Sequence, residues 1–323
     1  MALSVAATIR KTRCLSNVRY FGALGTNLQR GLVTKAQQDE FEENGVICLR
    51  NVFNQHWLKT VEKGIHQNIL SPSLHCDWLT NEKDGKSLFF NDYFNFNNIY
   101  EYNSYVRESP VTEIAQEITN SKKMGLFHEH VFYKDKGSMR ETPWHHDQAY
   151  YPFDGNKNCS IWMPTRQVSK SCSLKFIKGS HHINKWFVPR LFKSNENYID
   201  IDELPQEERE KAHDIREVVD GVKDKDILQW HLQPGDCLVF HMKTIHGTDS
   251  SFSNQKRIVI STRWLGEDIT YCQRPWPTSP PKEFLPKDLN FDDFIVENKH
   301  FMGQVKKMYN DGEEDKLYNR LSS

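Results

Sequence analysis

The chain has 323 residues, of which 37% are hydrophobic, 12% aromatic and 26% charged, which excludes a disordered polymer and allows one large domain or two small ones around a sizeable core. Its 42 Lys and Arg against 43 Asp and Glu leave a net charge of -1, so no pull toward nucleic acid or an anionic membrane is expected. No run approaches the roughly 18 consecutive apolar residues of a transmembrane helix, and the 7 cysteines form no CxxC pair, which excludes the usual cysteine-rich zinc modules and points to a reducing compartment.

Residues 1–38 contain no Asp or Glu but carry Arg10, Lys11, Arg13, Arg19, Arg30 and Lys35 among Ala, Ser, Leu and Thr. That is the composition of a mitochondrial transit peptide. It predicts a disordered leader over residues 1–37 and a location in the mitochondrial matrix, the alternative being a cytoplasmic protein with a basic tail. The closing Leu321-Ser322-Ser323 does not match a peroxisomal Ser-Lys-Leu ending.

Beyond the leader, Gly45 to Phe53 reads as a strand, and Asn54 is placed to cap a helix with Leu58, Val61, Ile65 and Ile69 on one face. Ser109 and Pro110 open a second helix that carries Val111, Ile114, Ala115 and Ile118. Between them, residues 89–102 are rich in aromatics and Asn without a clear period, and are expected to lie against the core or over a pocket. From Leu126 onward the pattern changes to short alternating runs at 126–134, 159–164, 172–177, 227–232, 237–241 and 257–265, separated by turn residues. This is the signature of a β-sandwich or barrel. Residues 193–226 are charged and helix-prone in part, an excursion between strands, and Pro275 opens a Pro-rich segment that leads into a polar helical tail. Three regions follow: the leader at 1–37, a domain at 38–274, and the segment and tail at 275–323.

The most informative spacing is His145-His146-Asp147. On an extended strand i and i+2 share a face, so His145 and Asp147 can reach one metal ion while His146 points away. His246, just beyond the strand-like run Cys237–His241, returns from the opposite side of a jelly roll as a third ligand. Two imidazoles and one carboxylate with the other positions open make the facial triad of non-haem iron(II) oxygenases. The same set could hold a catalytic zinc with an activated water. Arg257, eleven residues after His246, begins a strand that bears no Asp or Glu, so a guanidinium buried there needs a partner from elsewhere. The far carboxylate of 2-oxoglutarate would supply it, with Thr248 adding a hydroxyl.

Taken together, the motifs WHHDQAYYPF, CSIWMP, FIKGSHH, PGDCLVFH, HGT and the Arg eleven residues on resemble the phytanoyl-CoA dioxygenase family of iron(II)- and 2-oxoglutarate-dependent oxygenases, over about residues 38–268. The resemblance implies a mainly β fold with flanking helices, a double-stranded β-helix (jelly-roll, cupin-like) barrel. It also implies that His145, Asp147 and His246 are catalytic and bind Fe(2+), that Arg257 and Thr248 bind 2-oxoglutarate, that Trp162 lines the cosubstrate site, and that His130 and His146 contact the cosubstrate. O2 is then the second cosubstrate, and ascorbate is admitted as an auxiliary reductant.

The expected function is hydroxylation of an unactivated C–H bond in a small organic molecule or acyl derivative, with succinate and CO2 as coproducts. The alternatives are a zinc-dependent hydrolase on the same ligands and a catalytically silent jelly-roll protein that binds a metabolite. The expected partner is a small-molecule substrate, with no nucleic acid and no membrane span; the sequence leaves the oligomeric state open. Trp144, Tyr150, Tyr151 and the rings of 89–102 could hold an apolar chain or cage a quaternary ammonium group.

Overall fold

A computed structural model describes residues 31–80, 88–137, 141–250 and 253–279. The leader up to residue 30 and the expected tail from residue 280 onward lie outside the described residues.

Folded chain begins earlier than the composition suggests. Helix α1 (Lys35–Asn44) starts at a capping box, in which Thr34 accepts from the Gln37 backbone and Gln37 reaches back to the Thr34 backbone. It ends at Gly45, whose φ of 75° suits a residue without a Cβ. Strand β1 (Val46–Leu49) and helix α2 (Gln55–Leu70) follow, the latter capped by Asn54 as expected. The aromatic stretch 89–102 has two structures where the sequence showed none. Strand β2 (Asp77–Thr80) pairs with β3 (Leu88–Tyr93), a turn follows, and helix α3 (Tyr100–Glu108) begins. Its period was hidden because rings are buried on both sides of the turn, among them Phe90, Phe94, Phe96 and Tyr102.

Helix α4 (Val111–Ile118) leads into β4 (Met124–Lys134) and β5 (Thr142–His145). Strands β6 (Phe153–Asp154), β7 (Asn158–Pro164), β8 (Lys175–Ile177) and β9 (Trp186–Phe187) come next. The charged excursion contains only short pieces, among them α5 (Gln206–Arg209), β10 (Ala212–His213) and α6 (Arg216–Val219). The chain then runs through β11 (Ile227–Leu228), β12 (Cys237–Phe240), β13 (His246–Thr248), β14 (Arg257–Gly266) and β15 (Thr270–Tyr271). The expected strand at 227–232 is therefore shorter, its end making only an isolated bridge from Leu232 to Val168.

Two antiparallel sheets carry the domain. The larger has the order β1-β12-β7-β14-β4-β3-β2 and the smaller β11-β8-β13-β5. The larger sheet is covered on both faces, which is why its strands read as nearly continuous apolar runs. Ile161, Met163, Val239, Ile258, Ile260 and Trp264 share one buried cluster with Leu58, Val61 and Ile65 of α2 and Tyr105 of α3. The alternate residues Trp162, Leu238, Phe240 and Val259 pack instead with Phe176 of the smaller sheet. That is the mainly β jelly-roll arrangement with helices on one side, and the space between the sheets is where the polar residues of interest converge.

One edge of the larger sheet is pinned by a turn. Gly235 has φ +100°, its carbonyl accepts from the backbone N–H groups of Val52 (2.9 Å) and Phe53 (3.1 Å), and a Cβ there would lie 2.6 Å from the Phe53 carbonyl oxygen. The described cysteines are all free thiols.

Candidate metal centre

His145 closes β5 and His246 opens β13, and the two residues are partners across that antiparallel pair. Asp147 lies off the strand. The extended conformation ends at His146 (φ -126°, ψ 136°), and Asp147 is the first residue of a short 3-10 turn to Tyr150. The alternation expected of a strand nevertheless holds through His146, and one ligand atom from each of His145, Asp147 and His246 lies within 4.8 Å of the others. Asp147 Oδ1 is 3.6 Å from His145 Nε2 and 3.8 Å from His246 Nε2, and all three residues are buried.

The orientation of both imidazoles is dictated by the backbone. His145 Nδ1 lies 2.7 Å from the Pro143 carbonyl oxygen and His246 Nδ1 lies 2.9 Å from that of Thr244. A carbonyl can only accept, so each Nδ1 carries a proton and each Nε2 is the atom turned toward the metal position. Burial, with the neighbouring His145, pushes the His246 pKa down to about 3, so the ring stays neutral. Burial works to raise the Asp147 carboxyl, but the Arg263 guanidinium prevails and holds it well below the usual carboxylate range. Two imidazole nitrogens and one ionised carboxylate oxygen, buried and preoriented, fit a divalent metal such as iron(II).

Beyond the trio, β13 and β14 carry the residues expected to hold an anion. The register His246 to Phe176 and Gly247 to Lys175 carries the chain before β8 alongside Thr248, and Arg257 Nη1 donates to the Cys172 carbonyl on that side. Among the described residues Arg257 has no ion pair. Burial without a carboxylate beside it pulls its pKa down to about 10, which still leaves it charged at neutral pH. Thr248 is buried and its hydroxyl oxygen accepts from the Thr142 N–H at 2.8 Å, which leaves its own proton to donate. Trp162 and His130 are the Cα partners of Ser261 on the two strands that flank β14. Ser261 Oγ is buried and finds no hydrogen-bond partner among the described residues. A guanidinium without a carboxylate partner and an orphaned hydroxyl on the same face of β14 fit a bound carboxylic acid such as 2-oxoglutarate.

A family model described as "Phytanoyl-CoA dioxygenase (PhyH)" matches residues 41–259. The chain belongs to the phytanoyl-CoA dioxygenase family. It is thereby an enzyme of the 2-oxoglutarate-dependent oxygenase class. A Caenorhabditis elegans protein named "Probable phytanoyl-CoA dioxygenase" is 22% identical over 265 residues, covering 75% of this chain and 78% of that one. Among solved structures, the non-haem α-ketoglutarate-dependent carbocyclase SnoK from nogalamycin biosynthesis superposes with a TM-score of 0.57 at 14% identity, covering 75% of this chain and 88% of its own. EctD from S. alaskensis, solved with 2-oxoglutarate and 5-hydroxyectoine, gives 0.54 at 14% identity, with 74% and 78% covered. These two likenesses are likenesses of fold.

In this member of the phytanoyl-CoA dioxygenase family the remaining expected site residues divide. His130 is on the inner face of β4, its ring tilted against that of Phe132 with centroids 4.1 Å apart and its Nε2 3.1 Å from Asn91 Oδ1. His146 turns away from the metal trio, as the alternation requires. Its Nε2 meets the Phe187 backbone, 3.3 Å from the carbonyl oxygen, and its ring packs near Trp186. A wall of rings stands beside the metal trio, with Phe192 4.9 Å and Tyr150 5.7 Å from the His145 ring. Sequence reasoning singled out neither Phe192 nor Arg263. The signal for Arg263 was present, since it lies an even number of residues from Arg257 on the same strand and so shares its face.

Proposed function

We propose that this protein is an iron(II)- and 2-oxoglutarate-dependent dioxygenase that hydroxylates an unactivated C–H bond of a small organic or acyl substrate, with succinate and CO2 as coproducts. One observation carries the reading: three preoriented ligand atoms are accompanied, on the strand after His246, by a half-buried guanidinium that has no carboxylate partner among the described residues. A hydrolytic zinc site has no use for that second feature. The metal-bound cosubstrate pair supplies the oxidising power, as in other enzymes of this ligand set.

The chain's own residues do the rest. His145, Asp147 and His246 hold the metal, and the Pro143 and Thr244 carbonyls fix the imidazoles so that no tautomer change accompanies loading. Arg257 receives the far carboxylate of 2-oxoglutarate in a charge-assisted pair, Thr248 and Ser261 are placed to add hydroxyl donors, and Trp162 and His130 form the walls. Phe192, Tyr150 and Tyr151 exclude water and present an apolar surface to the substrate.

Anaerobic protein with Fe(II) should bind 2-oxoglutarate and develop the visible charge-transfer absorption of a 2-oxo acid chelate. A screen of carboxylic acids, acyl-CoAs, phosphonates and betaines should then find a compound that accelerates decarboxylation and gains one oxygen atom from labelled O2. Protein that takes up Fe(II) but not 2-oxoglutarate overturns the assignment. The acid-free residues 1–38 support a mitochondrial matrix location. A reporter fused to residues 1–40 that stays in the cytosol at full length overturns that part alone.

A further inference from the structure

The two oxygens of Asp147 have different surroundings. Oδ1 faces both imidazoles, while Oδ2 accepts the Ser160 hydroxyl at 2.6 Å and lies 3.5 Å from Arg263 Nη2. Ser160 and Arg263 are Cα partners on β7 and β14, so the two donors arrive from neighbouring strands at one level of the sheet. Both are buried, as is Asp147.

Arg263 is itself held on its other sides. Nη1 donates to the Ser261 carbonyl at 3.0 Å and Nε donates to the Tyr151 hydroxyl at 3.1 Å. Tyr151 in turn lies 3.3 Å from His128 Nε2, and His128 Nδ1 lies 3.1 Å from the Glu129 carbonyl. That carbonyl forces the proton onto His128 Nδ1, which makes Nε2 an acceptor for Tyr151 and leaves the phenol oxygen free to accept from Arg263. Every member of the chain from Glu129 to Asp147 thus has a single donor direction. A guanidinium fixed in this way cannot follow the carboxylate if it rotates, and a guanidinium already paired with Asp147 is not a second cosubstrate anchor.

We infer that Arg263 and Ser160 are positioning residues that hold Oδ2 of Asp147 away from the metal, so that this carboxylate offers one oxygen and not two. The inference rests on the iron and 2-oxoglutarate reading of the site. Aspartate can bind a metal through one oxygen or both, and a second bound oxygen would take one of the positions that the cosubstrates need. Arg263 thereby does for the carboxylate what the Pro143 and Thr244 carbonyls do for the imidazoles.

The experiment counts water. The number of exchangeable waters on Mn(II) bound to the protein, measured by proton relaxation and by pulsed EPR in labelled water, should be three in the wild type and two in Arg263→Met. Mn(II) should still bind Arg263→Met, with its affinity lowered by roughly 10- to 100-fold, the range usual for loss of a group that orients a metal ligand. Arg263→Lys should recover part of that loss. Ser160→Ala removes a donor to the same oxygen without changing charge, and it carries the same test if Arg263→Met does not fold. Three waters and wild-type Mn(II) affinity in Ser160→Ala and in a folded Arg263 variant would overturn the inference. Failure of the wild type to bind Mn(II) would instead bring down the metal reading on which it stands.

Discussion

His145 and His246 are partners across the antiparallel pair of β5 and β13, and each directs Nδ1–H to the carbonyl of the residue two places before it. Their rings lie 4.2 Å apart. Two strands thus present matching nitrogen donors by the same local device, and Asp147 completes the set from the turn that follows.

A metal that binds this arrangement binds only the folded protein. At a free concentration about 100 times its Kd it should therefore add ~2.7 kcal/mol to stability. Thermal unfolding with and without Mn(II) measures this. His246→Ala should lose the metal-dependent rise in Tm while keeping a cooperative transition in the absence of metal. A rise of wild-type size in His246→Ala would place the metal elsewhere.

For Arg257 the expected loss is in cosubstrate binding. Its guanidinium is half-buried with a backbone carbonyl as its hydrogen-bond acceptor, so a bound carboxylate would face no cation in Arg257→Ala. Truncating one partner of a buried charge pair costs about 2–5 kcal/mol. Titration of 2-oxoglutarate into the anaerobic Mn(II) protein should show a loss of that order. Metal affinity measured without 2-oxoglutarate should be unchanged, and an unaltered 2-oxoglutarate affinity would remove Arg257 from the site.

The turn at Gly235 offers a test of the fold. Its φ of +100° is strained for any L side chain, and a Cβ would press on the Phe53 carbonyl at 2.6 Å, which is backbone and cannot swing aside. Gly235→Ala should destabilise the protein by about 1–3 kcal/mol in urea unfolding. An unchanged midpoint would mean that the turn relaxes freely.

What could be read from sequence was whatever depends on short-range alternation. His145 and Asp147 share a direction and His146 opposes them because each is one step along extended chain, and that needed no knowledge of the fold. The α1 start was also legible, in the Thr34 to Gln37 capping box, but the acid-free composition around it drew the boundary to residue 37. Arg263 could be placed on the face of Arg257 by counting, yet its partner could not be named. Asp147 is brought to it by the turn that leaves β5, while the pairing of β7 with β14 sets Ser160 beside it, and neither register nor turn is written in the spacing. The strand and helix within 89–102 were hidden for a different reason. Rings there are buried against both the helices and the inner core, so no single period survives.

The last prediction concerns acid stability and rests on His241, a residue outside the metal trio. His241 Nδ1 accepts the Lys243 N–H at 3.0 Å and Nε2 lies 3.0 Å from the Asn156 carbonyl, to which it must donate. Both nitrogens are thus used by the neutral ring, and a second proton would remove the acceptor from Lys243. Burial, followed by the charges of His181 and Lys243, pushes the His241 pKa down to about 3. In the unfolded chain the same ring titrates near ~6.5. Below that pH the unfolded state takes up a proton that the native state refuses, so the stability from His241 is fully present above about pH 6.5 and is lost as the pH falls toward 3. The contribution to the slope is about 1.4 kcal/mol per pH unit at its steepest. His128 and His146, also pushed down to about 3 by burial, act in the same direction. Urea unfolding between pH 7 and pH 4.5 should show stability declining with acidity, and His241→Gln should decline less steeply by about one proton. Identical slopes in the two proteins would show that His241 is protonated in the folded state.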